Sequence, residues 1–186
     1  MSPRRKTALS MEHVLLALLA REPMHGYELH RRLNEMPGIA QVWNLKQALL
    51  YAKLELLEAE GDIQVKATRR EFTPPRKVYA VTQQGQKKLE AWIREPVYRA
   101  RLMQQVFNAK LLCAWMQSPQ LALDLIEKQR EVMLNWHSRL VDEEARLDPK
   151  AQFGDWVVLS FKDKRDQCTL GWLDSVQAQI EGMQEK

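Results

Sequence analysis

The residues best suited to chemistry in this chain are its clustered arginines and lysines. Arg4, Arg5 and Lys6 stand near the start, while Arg69-Arg70 and Arg76-Lys77 flank a stretch holding Pro74 and Pro75. Guanidinium and ammonium groups in such clusters suit phosphate oxygens, the guanidinium as a two-pronged donor. The charge is also uneven. Residues 1–100 hold 17 Lys/Arg against 11 Asp/Glu, a net +6, and residues 101–186 hold 11 against 13, a net −2. A positive excess confined to one half is what a phosphate-binding half shows. Singly, each cluster reads better as a solvated loop, so its meaning depends on the elements that carry it.

The remaining reactive side chains form no reaction centre. His13, His25, His30 and His137 include no i, i+4 pair, Cys113 and Cys168 belong to no CxxC, and no GxSxG, HExxH, GxGxxG or GxxxxGK[ST] occurs. Acidic pairs such as Glu143-Glu144 read as a solvated helix face. The expectation is a protein that is not an enzyme, with no catalytic residues, no metal and no cofactor. Both cysteines sit in apolar helical stretches and read as buried free thiols of a reducing compartment. No signal peptide is evident, and the apolar run over residues 14–20 is far shorter than the ~20 residues a bilayer span needs. A cytoplasmic protein without a membrane partner follows by exclusion.

The elements that must position the basic clusters can be read from the hydrophobic period. Residues 9–20 are apolar nearly all round, as a central core helix is, and Pro23 closes it. A second helix runs from His25 to Met36 with Tyr27, Leu29, Leu33 and Met36 on one face, and Pro37-Gly38 stops it. A third covers residues 43–60, with Leu50, Leu54 and Leu57 as its buried stripe and Gly61 as its end. The pattern then turns to strands at residues 63–67 and 78–82, which predict a two-stranded hairpin with a basic tip. Thr82 caps a fourth helix that reaches residue 93, and Glu95-Pro96 marks a junction. Beyond it the chain is helical, over residues 101–116, 120–147 and 162–182.

Three helices followed by a hairpin with a basic tip is the order of a winged helix-turn-helix. The fold class expected is mainly α: a winged helix-turn-helix with a two-stranded wing over residues 1–95, and an all-helical dimerisation and effector domain over residues 96–186. The third helix then suits the major groove of DNA, and the wing suits the phosphates beside it.

At this point three motifs become familiar. Leu18 to Leu29 resembles the LL-x-x-x-P-x-H-G-Y-E-[IL] signature of the PadR family of regulators. Leu50 to Gly61 is similar to that family's LY-x-x-L-x-x-L-E-x-x-G, and Arg76 to Gly85 to its R-K-x-Y-x-[LI]-T-x-x-G. The longer helical tail resembles the larger subgroup. The resemblance implies a dimeric regulator, usually a repressor, that leaves DNA when a small, often aromatic effector binds. It also implies a phosphate contact near His25 and Tyr27, at the N-terminus of the second helix. Gly26 there suits a crowded turn entry.

Stepping 100° per residue from Leu50 puts Asn44, Ala48, Tyr51 and Glu55 opposite the buried stripe. The DNA-contacting set expected is therefore Arg4, Arg5, Lys6, His25, Tyr27, Asn44, Lys46, Gln47, Tyr51, Arg69, Arg70, Arg76 and Lys77, on double-stranded DNA of pseudo-palindromic sequence. The third helix departs from the family at Ala48-Leu49, Ala52 and Glu55-Leu56, where polar or basic residues are usual. It is poor in donors. Such a helix meets thymine methyls, or it serves the alternative reading, a winged-helix adaptor for a protein partner with weak or lost DNA binding.

In the C-terminal half, Cys168, Trp172, Leu173, Val176 and Ile180 make an apolar stripe expected at the interface of a homodimer. Trp92, Trp115, Trp136 and His137 are candidates for an aromatic effector pocket, although core or dimer packing explains tryptophans on helices more simply.

Overall fold

A computed structural model describes residues 11–36, 38, 46–69 and 76–184, with the backbone alone at residues 68, 69 and 76. Helix α1 (Met11–Arg21) is the hub, because Val14, Leu15, Leu16 and Ala17 are fully buried around its whole circumference. A short strand β1 (Met24–His25) leads into α2 (Gly26–Glu35), and α3 (Gln47–Ala59) follows. The hairpin is β2 (Ile63–Arg69) and β3 (Arg76–Val81), and α4 (Gln83–Arg94) packs back on α1.

The wing differs from its sequence-based prediction. Among the described residues the sheet has three strands in the order β1-β3-β2, all antiparallel, with Met24 opposite Tyr79 and His25 opposite Val78. A two-residue strand has too few positions to show a period, so the sequence pattern assigns Met24 to no element and His25 to the second helix, which in fact starts at Gly26. In the hairpin proper, Ile63 faces Val81 and Arg69 faces Arg76. The register shifts between Val65 and Ala67, so Lys66 is an extra, bulged residue, a device that sharpens the twist of a strand. Tyr27 is also displaced from its expected place: it is exposed, while Leu29 and Leu33 are buried. Two residues along a helix are 200° of rotation, so Tyr27 cannot share the face of Leu29.

Local chemistry fixes the junctions. Gly61 takes φ +76°, the left-handed turn expected after α3, and the N–H of Asp62 returns to the Leu57 carbonyl at 2.9 Å. The Thr82 hydroxyl caps α4 by accepting from the Gly85 N–H at 3.1 Å. Gly85 allows α4 to cross this turn, since a Cβ there would lie 2.1 Å from the Asp62 carbonyl oxygen.

The C-terminal half begins with a 3-10 turn (Ala100–Leu102) and a π-helical turn (Met103–Phe107), then α5 (Asn108–Gln117), α6 (Pro119–Glu144) and α7 (Phe153–Gln184). The single helix expected over 101–116 is thus a helix preceded by two irregular turns. The last helix starts at Phe153 rather than residue 162, so the apolar run at 156–159 is its first part. α6 and α7 pair as a long hairpin, held partly by Arg130 on Asp174 at 2.9 Å. One apolar core runs through both halves, from α1 and α3 through Phe107 and Cys113 to Leu173 and Ile180.

Two polar side chains fasten the halves. The Lys110 ammonium donates to the carbonyls of Trp92 at 2.6 Å and Glu95 at 2.5 Å, at the C-terminal end of α4 where a helix favours a cation. The Gln129 amide accepts from the Val97 N–H at 2.7 Å and donates to the Val97 carbonyl at 3.0 Å, pairing the connecting chain as a strand would. No helix of the described residues is long and apolar enough to cross a membrane.

Candidate nucleic-acid interface

The interface is built on α3. Leu50, Leu54 and Leu57 are fully buried beneath it, which turns the opposite face outward. That outer face carries Ala48, Leu49, Tyr51, Ala52, Glu55 and Leu56, all exposed, while Gln47, on the side of the buried stripe, is exposed at the start of the helix. Lys46 is the N-cap of α3, and its carbonyl accepts from Leu49 and Leu50 at 3.0 and 3.2 Å, which leaves its exposed side chain at the open end of the helix.

The His25-Gly26-Tyr27 segment meets α3 through one contact that sequence alone did not reveal. A Cβ on Gly26 would lie 2.7 Å from Cε1 of Tyr51 and 3.1 Å from its hydroxyl. The glycine is therefore needed for the close approach of the Tyr51 ring, and not for a crowded backbone. It sets the phenol beside the first residue of α2. His25 precedes this helix as its N-cap, half-buried, with Nδ1 buried and without a hydrogen-bond partner among the described residues. Gly26 and Tyr51 are both in recognisable motifs, but only the fold shows that one makes room for the other.

Several basic residues are already engaged. Lys53 of α3 pairs with the buried Glu12 of α1, and Lys77 reaches Glu58 of α3 at 3.3 Å, which raises the Lys77 pKa. Arg31 and Arg32 close on Glu28, with Glu35 and Glu22 adding a partner to each. Their hydrogen bonds hold the Glu28 carboxyl down to about 2. The network staples α2, and its arginines face acids rather than an open groove. Lys77 is exposed and its pair is solvent-screened, so a phosphate can compete for it.

Among the residues expected to contact DNA, the structure brings together His25, Tyr27, Lys46, Gln47, Tyr51 and Lys77 on or beside α2, α3 and β3. Arg69 and Arg76 are paired across the end of the hairpin by backbone register. Arg4, Arg5, Lys6, Asn44 and Arg70 lie outside the described residues.

Each of the expected effector residues has its own surroundings. Trp92 stacks on His13 at 4.3 Å with the Lys110 ammonium 5.0 Å from its ring centre. Trp136 packs at the margin of the core, Trp115 is exposed, and His137 lies 3.4 Å from Asp163 of α7. A cavity of about 520 Å³ lies elsewhere, between the two irregular turns and α7, lined by Arg101, Met103, Gln104, Arg165, Cys168 and Trp172 among others. None of the four expected residues lines it.

The expected dimer stripe is divided as well. Leu173 and Ile180 are buried in the chain's own core, whereas Cys168 and Trp172 are exposed. Steps of four residues rotate 40° each, so a stripe from 168 to 180 drifts 120° across the helix and passes from outside to inside. Cys168 is accordingly not a buried thiol; Cys113 is, and burial pushes its thiol far up. The outward arc continues toward the N-terminus of α7 through Phe161, Val157 and Phe153, exposed at 70, 44 and 63%. Among the described residues no three His, Cys, Asp or Glu side chains are grouped to hold a metal ion.

A three-helix unit with its third helix bared, followed by a twisted basic hairpin, defines a winged helix-turn-helix protein. Residues 15–91 match the PadR-like family of transcriptional regulators. It is 25% identical to the negative transcriptional regulator PadR of Bacillus subtilis over 179 residues, 92% of this chain and 97% of that protein. It is 28% identical to the probable transcriptional regulator Rv1176c of Mycobacterium tuberculosis over 93 residues, 50% of this chain and 48% of that one. The crystal structure of Bacillus subtilis PadR in complex with operator DNA is similar at a TM-score of 0.45 and 23% identity, covering 91% of this chain and 98% of that one.

Proposed function

We propose that the chain is a cytoplasmic, dimeric DNA-binding repressor of transcription, acting as a binder and not as a catalyst. The observation that carries this reading is the bared outer face of α3, set beside a basic wing and a tyrosine seated by Gly26. In this reading residues 1–95 bind DNA. α3 enters the major groove with Gln47, while Tyr51, Lys46, Lys77, Arg69 and Arg76 meet phosphates, with His25 and Tyr27 at the N-terminus of α2. The negative sign of regulation rests on the likeness to the Bacillus protein.

Residues 96–186 join two copies. The exposed arc Phe153-Val157-Phe161-Cys168-Trp172 on α7 is the face a second copy covers, and a two-fold axis there demands a pseudo-palindromic site. A small aromatic effector fits the cavity beside that arc, where Trp172 offers a ring face and Arg101 and Arg165 offer donors. Its lining, rather than Trp92, Trp115, Trp136 and His137, is the place to look for it.

The test is binding of the purified chain to the DNA upstream of its own gene, against a scrambled duplex, over a salt series. Preference for the upstream duplex, with log affinity falling steeply against log salt, supports the reading. Equal or absent binding on both duplexes refutes it. The apolar strip Leu49-Ala52-Leu56 then favours the second reading, an adaptor whose α3 docks on a protein.

A further inference from the structure

The outer face of α3 is unusual for a helix that reads DNA. The described residues of α3 include no arginine, and the helix's one lysine, Lys53, is tied to Glu12. Arginine and lysine are the side chains that read guanine, through O6 and N7. Besides Tyr51, what the first two turns present is Gln47 and then Ala48, Leu49 and Ala52, with Leu49 half-exposed. In helix-turn-helix docking these N-terminal positions are the ones that meet base edges. Alanines at 48 and 52 let the helix backbone approach the groove floor, and a leucine beside them offers methyl groups.

Each of these groups has a counterpart on one kind of base pair. Glutamine matches adenine N6 and N7 as a two-bond partner, and apolar side chains match the C5 methyl of thymine. We propose that α3 reads A·T pairs, chiefly through thymine methyl groups packed on Ala48, Leu49 and Ala52, with Gln47 on an adenine. The occupant of this face is therefore duplex DNA with thymines at the contacted positions of each half-site. Charge supports DNA here, since Lys46 opens the helix and Lys66, Arg69, Arg76 and Lys77 line the adjoining hairpin. The inference rests on the DNA-binding reading above and narrows it to a class of sequence. Affinity would come from the wing and selectivity from methyl contacts, an arrangement in which Glu55 and Leu56 sit past the reading turns.

The experiment uses the full chain and a randomised duplex pool. Duplexes enriched by binding are footprinted, then resynthesised with deoxyuridine in place of each protected thymine, a change that removes only the methyl group. Loss of one packed methyl is expected to weaken binding about four-fold. Deoxyuridine outside the footprint changes nothing. In Leu49→Ala, a half-exposed position whose truncation spares the core, the effect of deoxyuridine shrinks at the thymine that Leu49 touches. Enriched sites with G·C pairs at the α3 positions, or sites whose affinity ignores deoxyuridine, overturn the inference and leave DNA binding intact. A pool that yields no enriched duplex overturns both.

Discussion

Gly85→Ala is expected to destabilise the fold far more than its single added methyl suggests. The new Cβ would sit 2.1 Å from the Asp62 carbonyl oxygen, 2.9 Å from its carbon and 3.0 Å from Cγ2 of Val81. That carbonyl is backbone and accepts from both the Thr82 N–H at 3.0 Å and the Thr82 hydroxyl at 3.1 Å. Relief means moving it by about 1 Å, to ordinary contact distance, and those hydrogen bonds go with it. Loss of the Thr82 cap costs about 1 kcal/mol, and a stranded backbone group about 1–3 kcal/mol more. Alanine returns up to about 1 kcal/mol through its helix propensity. The net is roughly 1–3 kcal/mol, or about 2–12 °C in melting temperature for a chain of this size. Gly171→Ala is the control, since no atom lies within 4 Å of a Cβ there in mid-α7. It should raise the melting temperature by about 2–4 °C. Thermal melts followed by circular dichroism measure both. A Gly85→Ala chain that melts with the parent, or a Gly171→Ala chain that melts below it, would refute the packing argument.

Three further outcomes follow from the same geometry. Burial, helped by the Lys88 ammonium, lowers the His13 pKa to about 4, so below its ordinary 6.5 the unfolded chain takes a proton that the folded chain refuses. Stability is whole above that ordinary value and falls toward pH 4, by about 3 kcal/mol in all; urea melts across this window should show it, and His13→Phe should flatten it. Gly26→Ala pushes on the far end of the Tyr51 ring, which can swing away, so DNA affinity should fall to that of Tyr51→Phe or below while the melt barely changes; equal loss of stability would mean a structural role alone. Phe161→Arg places a charge in the centre of the exposed arc of α7 and should give monomers in sedimentation, with weakened binding to a two-half-site duplex; an unchanged dimer would put the seam elsewhere.

The N-terminal half was legible because its cues are local. Pro23, Gly61 and Thr82 punctuate it, and Leu50, Leu54 and Leu57 announce the face that is buried. What escaped was set by contacts between distant residues. Met24-His25 become a strand only because β3 lies beside them. Gly26 is required by a ring 25 positions further on. In α7 the apolar residues face both ways, Leu159 and Leu173 inward and Val157, Phe161 and Trp172 outward, so no single period describes the helix. Trp92, Trp115, Trp136 and His137 stand out by residue type, and type does not tell which side chains converge. The cavity that did form relies on Arg101 and Gln104 in turns whose irregular geometry leaves no mark on a helical pattern.

The packing bears on how a ligand could act. The halves share one core, and Lys110 and Gln129 bind the C-terminal half to the carbonyls and linker of the winged unit. Parting the halves would break the hydrogen bonds of both side chains, at a net cost of roughly 0.5–3 kcal/mol each, and would bare the apolar core they share. In the proposed repressor, these fasteners and the shared core oppose release of DNA by swinging the wing away from its own C-terminal helices. In the proposed dimer, the seam between copies lies outside these fasteners. The cavity at Arg101, Arg165 and Trp172 borders the exposed arc of α7 and shares Cys168 and Trp172 with it. A ligand there acts only through a difference in affinity between two arrangements of the pair. The arrangement it favours would be one whose two α3 helices no longer match successive turns of the groove.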